Sequence, residues 1–108
     1  MPDKTLSLIS LCRKAGRLRI GFDPVTEAVC AGEVCLVLTA SDFSEGSARR
    51  LDRRLSDAGF PPGDKLALSA TMEQLAAVCG KTAGVLAVAD SGFAAGIRKL
   101  ICAENKEE

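Results

Sequence analysis

The chain has 108 residues, of which 47% are hydrophobic and 26% charged, and 14 basic residues balance 14 acidic ones. These totals are typical of a globular protein with one domain, which we expect to span residues 1–108. A net charge of zero argues against a protein that covers nucleic acid nonspecifically, because such a protein is strongly basic. It does not exclude local basic patches. No apolar run is long enough to cross a bilayer and no leader-like segment is visible, so we expect a cytoplasmic protein without a membrane partner.

The residue types that are missing narrow the chemistry. The chain has no histidine, which is the commonest general base and a very common metal ligand, so we expect no enzyme activity, no metal and no cofactor. The five cysteines are odd in number and form no CxxC pair, so we interpret them as small buried thiols and not as a disulfide frame or a zinc site. They are Cys12, Cys30, Cys35, Cys79 and Cys102.

Apolar spacing predicts helices and strands that alternate along the chain. A helix over 5–15 is followed by a short strand at 17–20, a helix at 24–31 and a fully apolar strand at 34–40. Next come a helix from 44 to 59, a loop at 61–64, a strand at 65–69, a helix from 71 to 80, a strand at 84–89 and a last helix that is capped by Ser91 and runs to Ile101. We expect the charged tail, 103–108, to be frayed. This alternation predicts a three-layer α/β/α sandwich, with one mixed sheet of about four strands and helices on both faces.

The segment 17–29 is the best candidate for a binding site. Arg17 and Arg19 lie on its short strand, and Gly21 can take a positive φ or let a ligand approach the backbone closely. Asp23 is predicted to cap the following helix, with Pro24 as the first helical residue. A helix N-terminus offers free N–H groups and positive potential, which suit a phosphate. An ordinary strand-to-helix turn is the alternative.

Three other patterns carry less information. Asp42 follows a buried strand, as does the phosphoacceptor of a receiver domain. Such a domain also needs two acidic residues after its first strand, and this chain has only Asp23 there. Asp42 is therefore better explained as a loop residue or a helix cap. Lys81 and Thr82 follow a glycine as in a P-loop, but the segment ends a helix and lacks the earlier glycine. Four arginines crowd one helix and fit either a solvated face or a phosphate-contacting face: Arg49, Arg50, Arg53 and Arg54.

Four sequence blocks together resemble one family. They are LCRKAGRLRIG at 11–21, VCLVLTASDFS at 34–44, MEQLAAVCGK at 72–81 and GFAAGI at 92–97. In order and spacing they resemble the L-seven-Ae type ribosomal and kink-turn RNA-binding proteins, above all the bacterial YlxQ-type members, over residues 5–101. The resemblance implies an α/β/α fold and binding to structured RNA, such as a kink-turn or ribosomal RNA.

The resemblance also implies a site, formed by the N-terminus of the second helix and the loop before the last strand. On this chain its residues are Arg13, Lys14, Arg17, Arg19, Gly21, Asp23, Lys81 and Thr82. A typical kink-turn binder has Asn, Glu and Lys after the glycine, whereas this chain has Asp23, Pro24 and Glu27, so its kink-turn motif is degenerate. The alternative function is a protein–protein interaction module that has kept the fold and lost RNA binding. We expect a monomer whose partner is structured RNA, the ribosome or another protein.

Overall fold

The computed structural model describes residues 3–105, in which helices and strands alternate as predicted. In chain order the elements are α1 (Asp3–Lys14), β1 (Leu18–Ile20), α2 (Phe22–Cys30), β2 (Leu36–Thr39), α3 (Glu45–Asp57), β3 (Lys65–Ala67), α4 (Met72–Cys79), β4 (Val85–Val88) and α5 (Ser91–Asn105). A short 3₁₀ helix (Pro62–Asp64) precedes β3, where the sequence predicted a loop. The last three residues predicted to be frayed, 106–108, lie outside the described part of the chain, and α5 includes residues 103–105.

The four strands form one mixed sheet in the order β1-β4-β2-β3. Strand β4 is antiparallel to both of its neighbours, with Leu86 opposite Ile20 on one side and opposite Leu38 on the other, whereas β2 and β3 are parallel. The two central strands are buried at every position, as their continuous apolar sequences predict for strands covered on both faces.

Each face of the sheet has its own hydrophobic core, which confirms the three-layer sandwich. Side chains alternate along β4, so Leu86 and Val88 belong to one core while Val85 and Ala87 belong to the other. The first core packs α1, α4 and α5 against the sheet through residues such as Ile9, Leu75 and Ile97. The second packs α2 and α3 through Val25, Val29, Leu51 and Leu55.

Two predicted helix caps are wrong. Helix α2 begins at Phe22 with Gly21 as its N-cap, so Asp23 does not cap it and Pro24 is not its first residue. The reason is the backbone of Gly21, whose φ of 104° and ψ of 161° complete the turn without a side-chain cap. Helix α5 is capped by Asp90 and not by Ser91, because Asp90 Oδ1 accepts a hydrogen bond of 3.0 Å from the Phe93 N–H.

Other helix ends follow the sequence. Ser44 caps α3 by accepting a hydrogen bond of 3.2 Å from the Ser47 N–H. Helix α4 begins with a capping box between Thr71 and Gln74 and ends at Gly80 in the left-handed conformation. Asp42 lies in the loop after β2 and serves α4, since its Oδ1 accepts a hydrogen bond of 2.8 Å from the Met72 N–H.

The cysteines are less uniform than predicted. Cys12 and Cys79 are buried and Cys35 is half-buried, but Cys30 and Cys102 are exposed, so the prediction of five buried thiols is wrong for these two. Only the preceding residue of each, Val29 or Ile101, is buried, and Cys30 lies at the exposed end of α2. Burial, helped by the nearby charge of Asp90 and opposed by Arg19, raises the pKa of Cys12 to about 11. Burial also raises the pKa of Cys79, against the effect of Arg13.

Candidate nucleic-acid interface

The β1–α2 turn and the α4–β4 loop lie side by side at one edge of the sheet. The Gly21 N–H donates a hydrogen bond of 3.0 Å to the carbonyl of Val85, which extends the pairing of β1 with β4 by one residue. Val85 is the first residue of β4 and directly follows the loop 80–84. The fold therefore brings together the two segments that the resemblance implies as one site.

The N-terminus of α2 differs from those of the three helices that follow it. Helices α3, α4 and α5 each begin with a side chain that accepts a hydrogen bond from the first turn, but no side chain caps α2. Since Pro24 has no N–H and the Val25 N–H donates to the Gly21 carbonyl, the first-turn donors left for another molecule are those of Phe22 and Asp23. Such N–H groups and the helix dipole favour an anion, although the carboxylate of Asp23 in the same turn works against it.

The α4–β4 loop presents polar side chains on a firmly packed base. Lys81 and Thr82 are exposed, whereas Ala83 and Gly84 are buried. The ring of Phe43 lies so close to Gly84 that a Cβ there would be 2.8 Å from its Cε1 and closer still to its Cδ1. At the other end of the loop, a Cβ on Gly80 would be 2.9 Å from Nη2 of Arg13, so this guanidinium lies over the beginning of the loop.

The basic residues implied by the resemblance do not all gather at this edge. Lys14 lines a groove between α1 and α4, together with Leu11 and Val78. Arg17 lies at the opposite end of β1, where its carbonyl accepts a hydrogen bond from the Ala89 N–H. Arg19 lies on the flank of α2, with Nη2 3.7 Å from Oε1 of Glu33, in a hollow that Glu27 also lines. The structure thus places Arg13, Gly21, Asp23, Lys81 and Thr82 at the turn or along the loop. Arg19 lies in a hollow beside Pro24, whereas Lys14 and Arg17 lie elsewhere.

One contact at this edge is absent from the sequence-based prediction. The guanidinium carbon of Arg50, on α3, lies 4.7 Å from the centre of the Phe22 ring, at the start of α2. The contact connects the arginine-rich helix to the β1–α2 turn. The sequence shows an aromatic residue after Gly21 and arginines at helical spacing, but it does not show that the two meet.

The described residues contain neither a metal-binding cluster nor a membrane-spanning helix. Over residues 4–103, whose side chains the structure describes, no three His, Cys, Asp or Glu residues cluster in a way that could hold a metal ion. No helix within residues 3–105 is long and apolar enough to cross a membrane.

Comparison with known proteins supports the fold. No protein-family model and no curated protein matches this chain. A solved structure of a protein of unknown function from Bacillus halodurans is 28% identical, with a TM-score of 0.78 over 92% of this chain and 97% of that chain. The Giardia lamblia 15.5 kDa RNA-binding protein is 18% identical, with a TM-score of 0.67 over 91% of this chain and 84% of its own. The similarity to the second protein establishes a common fold.

Proposed function

We propose that this protein binds structured RNA through the surface formed by the β1–α2 turn and the α4–β4 loop. The observation that carries the proposal is the uncapped N-terminus of α2, held beside the loop that contains Lys81 by the hydrogen bond from Gly21 to Val85. The fold is that of an RNA-binding protein from Giardia lamblia, and the sequence blocks resemble kink-turn binders at the same two segments. The role is one of binding, without a catalytic step.

The contacts follow from the chemistry of these groups. The N–H groups of Phe22 and Asp23 donate to one phosphate, while Lys81 neutralises another. The hydroxyl of Thr82 both donates and accepts, so it suits a ribose 2′-hydroxyl or a base edge. Pro24 has no polar side chain with which to read a base, so recognition depends on RNA shape and backbone more than on bases. Because Glu27 repels phosphate, the backbone contacts are made by the N–H groups and Lys81 and not at Glu27. A kink-turn, or a ribosomal RNA with a similar bend, suits recognition by shape and backbone. The protein would bind it as a monomer in the cytoplasm.

A second candidate function rests on the groove between α1 and α4. The groove has a volume of about 590 Å³ and contains Leu11, which is 53% exposed. Exposed apolar surface of this kind is typical of protein–protein contacts. A chain that uses this groove without binding RNA would be the interaction module that the sequence leaves open.

The test is a titration of the protein into a labelled kink-turn RNA and into an unbent duplex of equal length, at low and moderate salt. We expect the wild-type protein to prefer the kink-turn. Lys81→Glu should weaken binding about tenfold and lower the salt slope by about one unit, because a phosphate contact is lost. Lys99→Glu makes the same charge change on α5 and should leave the affinity unchanged.

Each failure has a distinct meaning. Equal binding of both RNAs would reject kink-turn recognition. An equal affinity of the two variants would reject the loop as part of the site. No binding to either RNA would reject the proposal and leave the α1–α4 groove as the better candidate.

A further inference from the structure

Helix α3 carries a continuous arginine face. Its four arginines are exposed and by themselves line a shallow depression of about 240 Å³: Arg49, Arg50, Arg53 and Arg54. Leu51 and Leu55 are buried on the other side of the helix, in the core between α2, α3 and the sheet. The arginines occupy two successive turns, so guanidiniums four residues apart start from positions separated by about 6 Å along the helix axis.

Acidic side chains of the described chain do little to neutralise this face. Arg49 Nη2 lies 3.4 Å from Oε1 of Glu45, but the two side chains are 79% and 91% exposed, so the pair is weak. Asp52 pairs instead with Lys65 on β3, at 2.5 Å. Among the side chains that the structure describes, those of residues 4–103, no acidic group lies within ion-pair distance of Arg53 or Arg54. Like charges one turn apart repel each other in the free protein, and an anionic partner would remove that repulsion.

The arginine face begins at the site of the proposed function. Arg50 lies over the ring of Phe22, and Phe22 is the first residue of α2, next to Gly21. A guanidinium that stacks on an aromatic ring keeps its N–H donors free around its edge. The depression therefore continues the surface of the β1–α2 turn onto α3.

We propose that the arginine face of α3 binds the phosphate backbone of the RNA where it extends beyond the β1–α2 turn; this inference rests on the proposed function. The lining consists of arginine side chains alone, without the aliphatic or aromatic residues that form the centre of an interface with a protein partner. Guanidiniums at this spacing suit successive phosphates of one strand, since each forms forked hydrogen bonds with phosphate oxygens. The contact carries no sequence information and supplies salt-dependent affinity.

The experiment compares the double variant Arg53→Gln/Arg54→Gln with Lys4→Gln/Lys99→Gln. Both remove two positive charges, but Lys4 and Lys99 lie exposed on α1 and α5, across the sheet from α3. Affinity for the kink-turn RNA is measured over a series of salt concentrations. We expect the arginine variant to bind about tenfold more weakly at low salt, with a salt slope lower by about one to two units. The lysine variant should keep the wild-type slope.

The outcomes separate this inference from the function on which it rests. If the wild-type protein binds the kink-turn RNA and the two double variants show the same slope and affinity, the arginine face is not part of the interface and the proposed function stands. If the wild-type protein binds no RNA, both proposals are overturned. Thermal unfolding of the variants checks that each is folded, and we expect both to retain the wild-type midpoint because all four side chains are exposed.

Discussion

Replacing Gly84 with alanine tests the packing beneath the α4–β4 loop. A Cβ at this position would lie 2.8 Å from Cε1 of Phe43, and closer still to Cδ1, whereas ordinary carbon contacts begin near 3.5 Å. Gly84 is buried and its carbonyl accepts a hydrogen bond from the Ala40 N–H, so the backbone has little freedom to move away. Phe43 itself packs against both hydrophobic cores. The added methyl group must therefore displace either the ring or the end of β4.

Overpacking of this kind costs about 1–3 kcal/mol. For a domain of this size that loss corresponds to a fall in the thermal midpoint of about 5–20 °C. The assay is urea unfolding followed by circular dichroism, with Gly46→Ala as the control, because a Cβ at Gly46 meets no atom within 4 Å. A free energy of unfolding within about 0.5 kcal/mol of wild type for Gly84→Ala would refute the packing argument, since that is the range of a surface substitution.

A double-mutant cycle shows whether the ring is the cause. Phe43→Ala removes the ring and lowers the free energy of unfolding by itself. In that background Gly84→Ala should cause almost no further change in the free energy of unfolding. We expect a coupling free energy of about 1–3 kcal/mol between the two positions. Simple additivity would mean that Gly84→Ala acts through the backbone and not through Phe43.

Two further predictions concern Gly21 and Cys12. Gly21→Ala should lower the free energy of unfolding by about 1–3 kcal/mol, because φ at this position is 104°. Backbone strain alone is the cause, since the atom nearest to the new Cβ, Pro24 Cδ, is 3.6 Å away. A free energy of unfolding equal to that of Gly46→Ala, measured in urea, would contradict this. The pKa of Cys12 is raised from 9.0 to about 11 in the folded protein, so the unfolded chain loses the thiol proton at a lower pH. The stability that the protonated thiol contributes is therefore complete below pH 9 and is lost as the pH rises towards 11. The urea midpoint should fall over this range, and less steeply in Cys12→Ala; parallel pH profiles for the two proteins would count against the burial argument.

The elements with strong local signals were predictable from the sequence. The apolar runs at 34–40 and 84–89 gave the two buried central strands, because a strand covered on both faces has no polar side. Gly80 marked the end of α4, since a left-handed residue there favours glycine. Gly21 does adopt a positive φ, but the start of α2 was misplaced because the preferences of Asp23 and Pro24 were outweighed by the conformation of this glycine.

The candidate site was predictable only in part. The sequence indicated the β1–α2 turn, and the resemblance added the α4–β4 loop, but the hydrogen bond from Gly21 to Val85 depends on the pairing of β1 with β4. The contact of Arg50 with Phe22 depends on how α3 packs beside α2. Contacts between elements distant in sequence have no local pattern. Charge and spacing alone therefore could not decide whether the arginines of α3 form a solvated face or a phosphate-contacting face.

The strand order has a consequence for the assembly of the fold during synthesis. Strand β4 lies between β1 and β2, yet it is the last strand in sequence within the described residues, 3–105. Until residues 85–88 emerge from the ribosome, β1 has no partner, and the nascent sheet is limited to the parallel pair of β2 and β3. Closing contacts of such long sequence separation is slow. Strand β4, which follows the α4–β4 loop, therefore completes the sheet. Until it pairs, one edge of the apolar strand β2 has no partner in the nascent chain.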